Sequence, residues 1–226
     1  MPNSIKRRIT EADNYFWMLL ALLVLLFLSA VADQLGDEIL NRFMGTMLTA
    51  VILVAVWSLE HERFPFNSRV GVTVLFIVIE GSEFILEHFH LGTLQLATLL
   101  LFAIGTIIVA CRQVLLTGAV DSNKIVGAIC IYMLMGMAWA EAYLLVERLF
   151  PGSLPALSGE HWRNHVHDAL YFSYVSLTTL GFGDISPTQP LARYLAYMQA
   201  VVGQFYIAIV VASLIGARMS DDKRVS

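Results

Sequence analysis

Residues 176–187 read SLTTLGFGDISP. The sequence on either side is apolar enough for membrane helices, but this stretch is not helical in character. It opens with polar residues, sets Gly181 and Gly183 around Phe182, and closes on Asp184 and Pro187. Irregular backbone at membrane depth survives only where protein buries it or where it lines a watery cavity. The stretch therefore reads as a loop built into the interior of a membrane protein.

Composition supports that setting. Of 226 residues, 58% are hydrophobic and 14% charged, with a mean hydropathy of +0.70. Soluble domains carry about 25% charged residues. The net charge of −4 argues against a nucleic-acid partner, which needs a basic patch. Cys111 and Cys130 lie in or beside apolar runs with no ligand-spaced neighbours, so they read as buried small hydrophobes rather than a disulfide or a metal site.

A bilayer crossing takes around 20 mostly apolar residues. Six such spans are predicted, at about 15–31, 43–59, 70–86, 94–116, 125–150 and 191–217. A secretory leader is the rival reading of the first, but its apolar run is long for one. With the N-terminus inside, Lys6, Arg7, Arg8, Arg63, Arg69, Arg112, Lys124, Arg218, Lys223 and Arg224 fall on the cytoplasmic side. Only Arg42, Arg148, Arg163 and Arg193 fall outside. This bias sets both termini in the cytoplasm of a multi-pass plasma (inner) membrane protein.

Between the fifth and sixth spans lies a polar outer loop at 151–170, then LYFSYVSLTT at 170–179. The latter is too short to cross and reads as a half-helix, with Asn164 or Asp168 as its cap. A half-helix followed by a Gly-rich loop is a re-entrant segment. Glycines supply the backbone conformations such a loop needs. Four loops around an axis would stack rings of carbonyl oxygens in place of an ion's hydration shell.

TTLGFGD, in the order outer helix, half-helix, loop, inner helix over residues 125–218, resembles the potassium-channel pore family, of the six-span, single-pore, non-voltage-gated prokaryotic type. The resemblance implies an all-α membrane protein with a re-entrant pore helix and selectivity filter, assembled as a homotetramer because one motif supplies one quarter of a ring. It implies that Thr179, Leu180, Gly181 and Phe182 bind K⁺, that Gly183 completes the filter, and that Thr178 and Asp184 support it. Phe182 lacks the hydroxyl that Tyr donates behind the filter in many relatives. Phe172 stands where some relatives carry a Trp that holds the aspartate. Both differences point to a less rigid filter, and to a poorly selective cation channel as the alternative function.

Gly203 falls where the family's hinge glycine is expected, with close packing as an equal reading. Ile207, Val211 and Ile215 follow at i+4 steps, and the resemblance makes them a hydrophobic gate. Residues 1–120 form a four-helix region without sensor arginines, because the fourth span carries only Arg112. Steep voltage gating takes three to four charges per subunit, so weak or no voltage dependence is expected. Residues 121–226 form the pore domain, with no cytoplasmic ligand-binding domain.

Glu80 and Glu83 in the third span and Glu141 in the fifth are costly in a bilayer unless paired, protonated or wet. They are candidate proton or cation sensors, with Arg148 as a possible partner. His165 and His167 in the outer loop are further candidates for pH sensing. No nucleophile–base pair or metal-ligand set marks an enzyme. No cofactor is implied beyond K⁺ as permeant ion, and the expected partners are lipids and further copies of the chain. A transporter with one re-entrant segment is the more distant rival, but paired broken helices are absent from the pattern.

Overall fold

The computed structural model describes residues 14–35, 92–116, 122–159, 161–213 and 216. The predicted second and third spans, Glu80, Glu83, Ile215 and both termini lie outside the described residues. All regular structure described is helical: α1 (Asn14–Leu35), α2 (Gly92–Leu116), α3 (Ser122–Leu149), α4 (Val166–Leu177) and α5 (Pro190–Phe205). The last continues into a π-helical segment, Tyr206–Val211. Four stretches are long and apolar enough to cross a membrane: Tyr15–Leu35, Gly92–Val114, Asn123–Leu149 and Pro190–Val211. The protein is an all-helical membrane protein.

Helix α3 is the hub. Its Gly127 lies against Val114 and Tyr15, while Arg148, at its other end, lies over Gly92. Helices α2 and α3 therefore run antiparallel, with α1 in the same layer. The Cys130 thiol donates to the Tyr15 carbonyl at 3.4 Å, a further tie between α1 and α3. Both described cysteines are free thiols. Apolar side chains such as Leu22, Leu96, Leu99, Ile131, Met137 and Tyr143 fill the common core.

Helix α4 has 12 residues, about 18 Å of length, too short to cross a hydrocarbon layer of about 30 Å. A 3₁₀ turn, Trp162–His165, leads into it. Neither expected cap is used: Asn164 lies inside that turn, His165 holds the cap position without a side-chain bond, and Asp168 sits in the first helical turn. An acidic residue in the first turn still complements the helix dipole.

The course of α4 is fixed by its contacts with α3. Ser173 Oγ donates to the Gly136 carbonyl at 2.6 Å, and Tyr174 donates to the Met133 carbonyl at 2.7 Å. Tyr132 donates to the carbonyl of Leu177, the last helical residue, at 3.1 Å. The helix thus penetrates the layer from the Leu149 end of α3 down to the level of Tyr132. The chain then climbs back: Thr188 N donates to the Ser153 carbonyl at 2.9 Å, and Gln189 Nε2 to that of Pro151 at 3.2 Å. The segment enters and leaves on one side, which makes it re-entrant.

Candidate functional site

The re-entrant segment turns at Thr178–Gly183. Amide protons of this turn point back at α4: Thr178 N to the Tyr174 carbonyl (3.0 Å), Thr179 N to Ser176 (3.1 Å), Leu180 N and Gly181 N both to Val175 (2.9 and 3.3 Å). A trans peptide holds its C=O opposite its N–H. The carbonyls of Thr178, Thr179 and Leu180 are therefore directed away from α4, on the exposed side of the turn. Backbone hand alternates along the loop: φ is 60° at Thr179, 59° at Gly181 and 81° at Gly183, while Leu180 and Phe182 keep negative values. Glycine takes the left-handed region freely, whereas a residue with Cβ pays about 1–2 kcal/mol. Thr179 is β-branched and bears that cost, a pattern of strain common at functional positions. Leu180 and Phe182, 59% and 67% exposed, do not pack into the core of the chain.

Beyond the turn, Asp184 Oδ2 accepts a hydrogen bond from the Tyr171 hydroxyl at 2.7 Å. That bond, outweighing a slight desolvation that acts the other way, holds the Asp184 carboxyl below the usual carboxylate range. The sequence expectation placed the aspartate's missing partner at Phe172. The structure instead has Phe172 buried with its ring 4.8 Å from that of Tyr143, and the preceding residue holds Asp184. A shift of one residue on a helix turns a side chain by about 100°, enough to take it from the loop into the core.

Three more polar groups support the loop and carried no pattern in the sequence. Gln199 of α5 is fully buried and satisfied: it accepts from Tyr143 at 2.6 Å and donates to the Ser173 carbonyl and hydroxyl at 3.0 and 2.8 Å. It fastens α3, α4 and α5 at one point. Glu147 of α3 accepts from Gly152 N (2.8 Å), Leu154 N (2.6 Å) and Ser158 Oγ (2.6 Å). It shapes the 151–158 loop against which Thr188 docks, and so anchors the chain leaving the re-entrant turn. Gln204 Nε2 donates to Thr179 Oγ1 at 3.4 Å. The one signal available in advance was the presence of polar residues inside apolar runs.

Gly203 is buried at the end of α4. A Cβ there would strike the Leu177 carbonyl oxygen and lie 2.9 Å from Leu177 Cδ1. Close packing accounts for this glycine directly. Ile207 is exposed, whereas Val211 is half-buried against the core cluster. The two therefore differ in burial within the chain, and the segment that carries them, Tyr206–Val211, is π-wound with i→i+5 hydrogen bonds.

Of the sensing candidates within the described residues, Glu141 is 1% exposed with neither carboxylate oxygen hydrogen-bonded. Arg148 lies over Gly92 at the end of α3 and does not supply a hydrogen bond to it. His167 Nδ1 lies 3.3 Å from Ser29 Oγ of α1. Beside it, the Asp168 carboxyl is pushed up by its partial burial and then by Asp33, with His167 and His165 pulling the other way. The far end of α1 thus meets the start of α4. No group of three or more His, Cys, Asp or Glu residues suited to a metal ion occurs among the described residues.

A short helix that stops partway through a helical layer, then an extended turn with its carbonyls facing away from that helix, defines a pore-loop membrane protein. Residues 96–219, more than half of the chain, match the family model described as Ion channel. This chain belongs to that ion-channel family and is not an enzyme. Among curated proteins it is similar to "Two pore potassium channel a" of Oryza sativa subsp. japonica, 37% identical over 73 residues, 32% of this chain and 21% of the relative. "Two pore potassium channel c" of the same source is 30% identical over 84 residues, 37% of this chain and 16% of the relative. "Inward rectifier potassium channel Kirbac3.1" of Paramagnetospirillum magnetotacticum is 33% identical over 94 residues, 40% of this chain and 28% of the relative. The matches thus span between 16% and 28% of the relatives' lengths. No solved structure matches the chain.

Proposed function

We propose that the chain is one subunit of a homotetrameric channel that conducts K⁺ passively, with Thr179–Gly183 as its filter. The observation that carries this reading is the orientation of the turn: the amides of Leu180 and Gly181 reach back to Val175, which leaves the carbonyls of Thr179 and Leu180 free for an ion. Carbonyls turned away from their own subunit are useful only if other subunits present theirs to the same axis. The names of the curated relatives, all potassium channels, agree.

The exposed apolar side chains of the α5 span support the tetramer. Leu191, Tyr194, Tyr197, Val201, Val202, Phe205 and Ile209 are all uncovered by the subunit, a surface for neighbouring copies and lipid. The basic-residue bias supports six spans with cytoplasmic termini in a plasma (inner) membrane. Arg112, the one basic residue of α2, supports weak or no voltage dependence. The Tyr171–Asp184 bond favours a selective filter over a loose one, since it supplies a hydroxyl brace that Phe182 does not.

Purified protein in native mass measurement should give four copies of the 25.1 kDa chain, and in liposomes should release K⁺ down its gradient. Gly181→Ala, which puts a Cβ at a positive φ, should keep the tetramer and abolish the flux. A monomer or dimer that conducts, or flux indifferent to Gly181→Ala, would overturn the reading.

A further inference from the structure

We propose that Gln204 positions the Thr179 hydroxyl and thereby sets the cation affinity of the innermost filter site; the inference rests on reading Thr179–Gly183 as the filter. The geometry begins one residue earlier. Gly203 has no side chain to hold α5 away from the Leu177 carbonyl, so the inner helix lies flush against the end of α4. That approach brings the next residue beneath the turn, with Gln204 Nε2 3.4 Å from Thr179 Oγ1. Five residues earlier, Gln199 is sealed in the core. Gln204 belongs to the other face, exposed within the subunit and adjacent to the loop.

A threonine hydroxyl has one donor and two acceptor lone pairs. When Oγ1 accepts from Gln204, one lone pair is committed and the oxygen is held in one orientation, with its second lone pair left for a cation. Thr179 sits at a φ of 60° with a β-branched side chain of few rotamers, so a single hydrogen bond is enough to select one orientation of its hydroxyl; its neighbour Thr178 is fixed separately through the Tyr174 carbonyl at 2.7 Å. Glutamine is also neutral, so it orients the hydroxyl without adding charge under the filter. Glutamate at this position would accept from the hydroxyl instead, freeing both lone pairs and placing a negative charge nearby.

The probe is internally applied Ba²⁺, a divalent cation of nearly the K⁺ radius, as a blocker of K⁺ current in bilayers. Gln204→Leu should weaken the block roughly three- to tenfold, as expected for loss of one hydrogen bond. Gln204→Glu should strengthen it. In a Thr179→Ala background, Gln204→Leu should have no further effect, because the hydroxyl it acts through is gone. Unchanged block in Gln204→Leu, or the same change with and without the Thr179 hydroxyl, would overturn the proposal. Should Gln204→Leu fail to assemble, an unchanged block in Gln204→Glu overturns it equally. Failure of the filter reading itself has a different signature, a wild-type protein with no K⁺ current.

Discussion

Thr179 and Asp184 bracket the loop, and each is held by one side chain from elsewhere in the chain. At Asp184 the holder is Tyr171, and its effect has a sign. A carboxyl whose folded pKa is depressed adds stability above its unfolded pKa, about 3.9 for Asp, and loses it as pH falls through the lower folded value. The contribution of this bond should therefore persist under mild acid and fade only as the pH falls below the ordinary carboxylate range. Tyr171→Phe removes the main depressing bond, so current should fail at higher pH, read as the midpoint of an external pH titration. An unmoved midpoint would separate Tyr171 from the loop's stability. The loop itself was legible in the sequence, because Gly181, Phe182, Gly183 and Asp184 form a local pattern. Tyr171 was not. Whether position 171 or 172 faces the loop depends on the helix phase of α4, which its contacts with α3 determine.

Among the elements, α5 carries the greatest gap between sequence and structure. Its apolar length announced a span, but its polar residues gave no hint of which face meets what. Gln199 proves to be a three-helix fastener and Gln204 a neighbour of Thr179. The π-wound segment, Tyr206–Val211, had no sequence signal either. Tyr206 within it donates to the Ala128 carbonyl at 2.8 Å, which fixes this part of the last span to the start of α3. Gly203 marks where α5 touches α4, and Gly203→Ala should displace the Leu177 carbonyl and weaken its bond from Tyr132. Overpacking of this kind costs about 1–3 kcal/mol, to be read as a lower unfolding temperature of the detergent-solubilised protein. Unchanged stability would favour a pure hinge over a packing contact.

Across the whole molecule, spans could be read from composition because a bilayer demands long apolar runs. The described helices extend the predictions modestly: α1 runs to Leu35, beyond the expected 31, and α3 begins at Ser122 rather than 125. The antiparallel α2–α3 pairing and the meeting of α1 with the start of α4 rest on contacts between residues far apart in sequence, such as Ser29 with His167. The α2–α3 direction was already implied by two consecutive spans with Arg112 and Lys124 on one side, whereas no local pattern encodes the meeting of α1 with α4. Glu147 is a similar case, since its three partners lie in a loop whose path it sets.

The central claim is that carbonyls directed away from α4 select K⁺ at a shared axis. Recording from purified protein in a planar bilayer, with K⁺ on one side and Na⁺ on the other, tests it most directly. The account predicts a large reversal potential of the sign set by K⁺. A reversal potential near zero would contradict it.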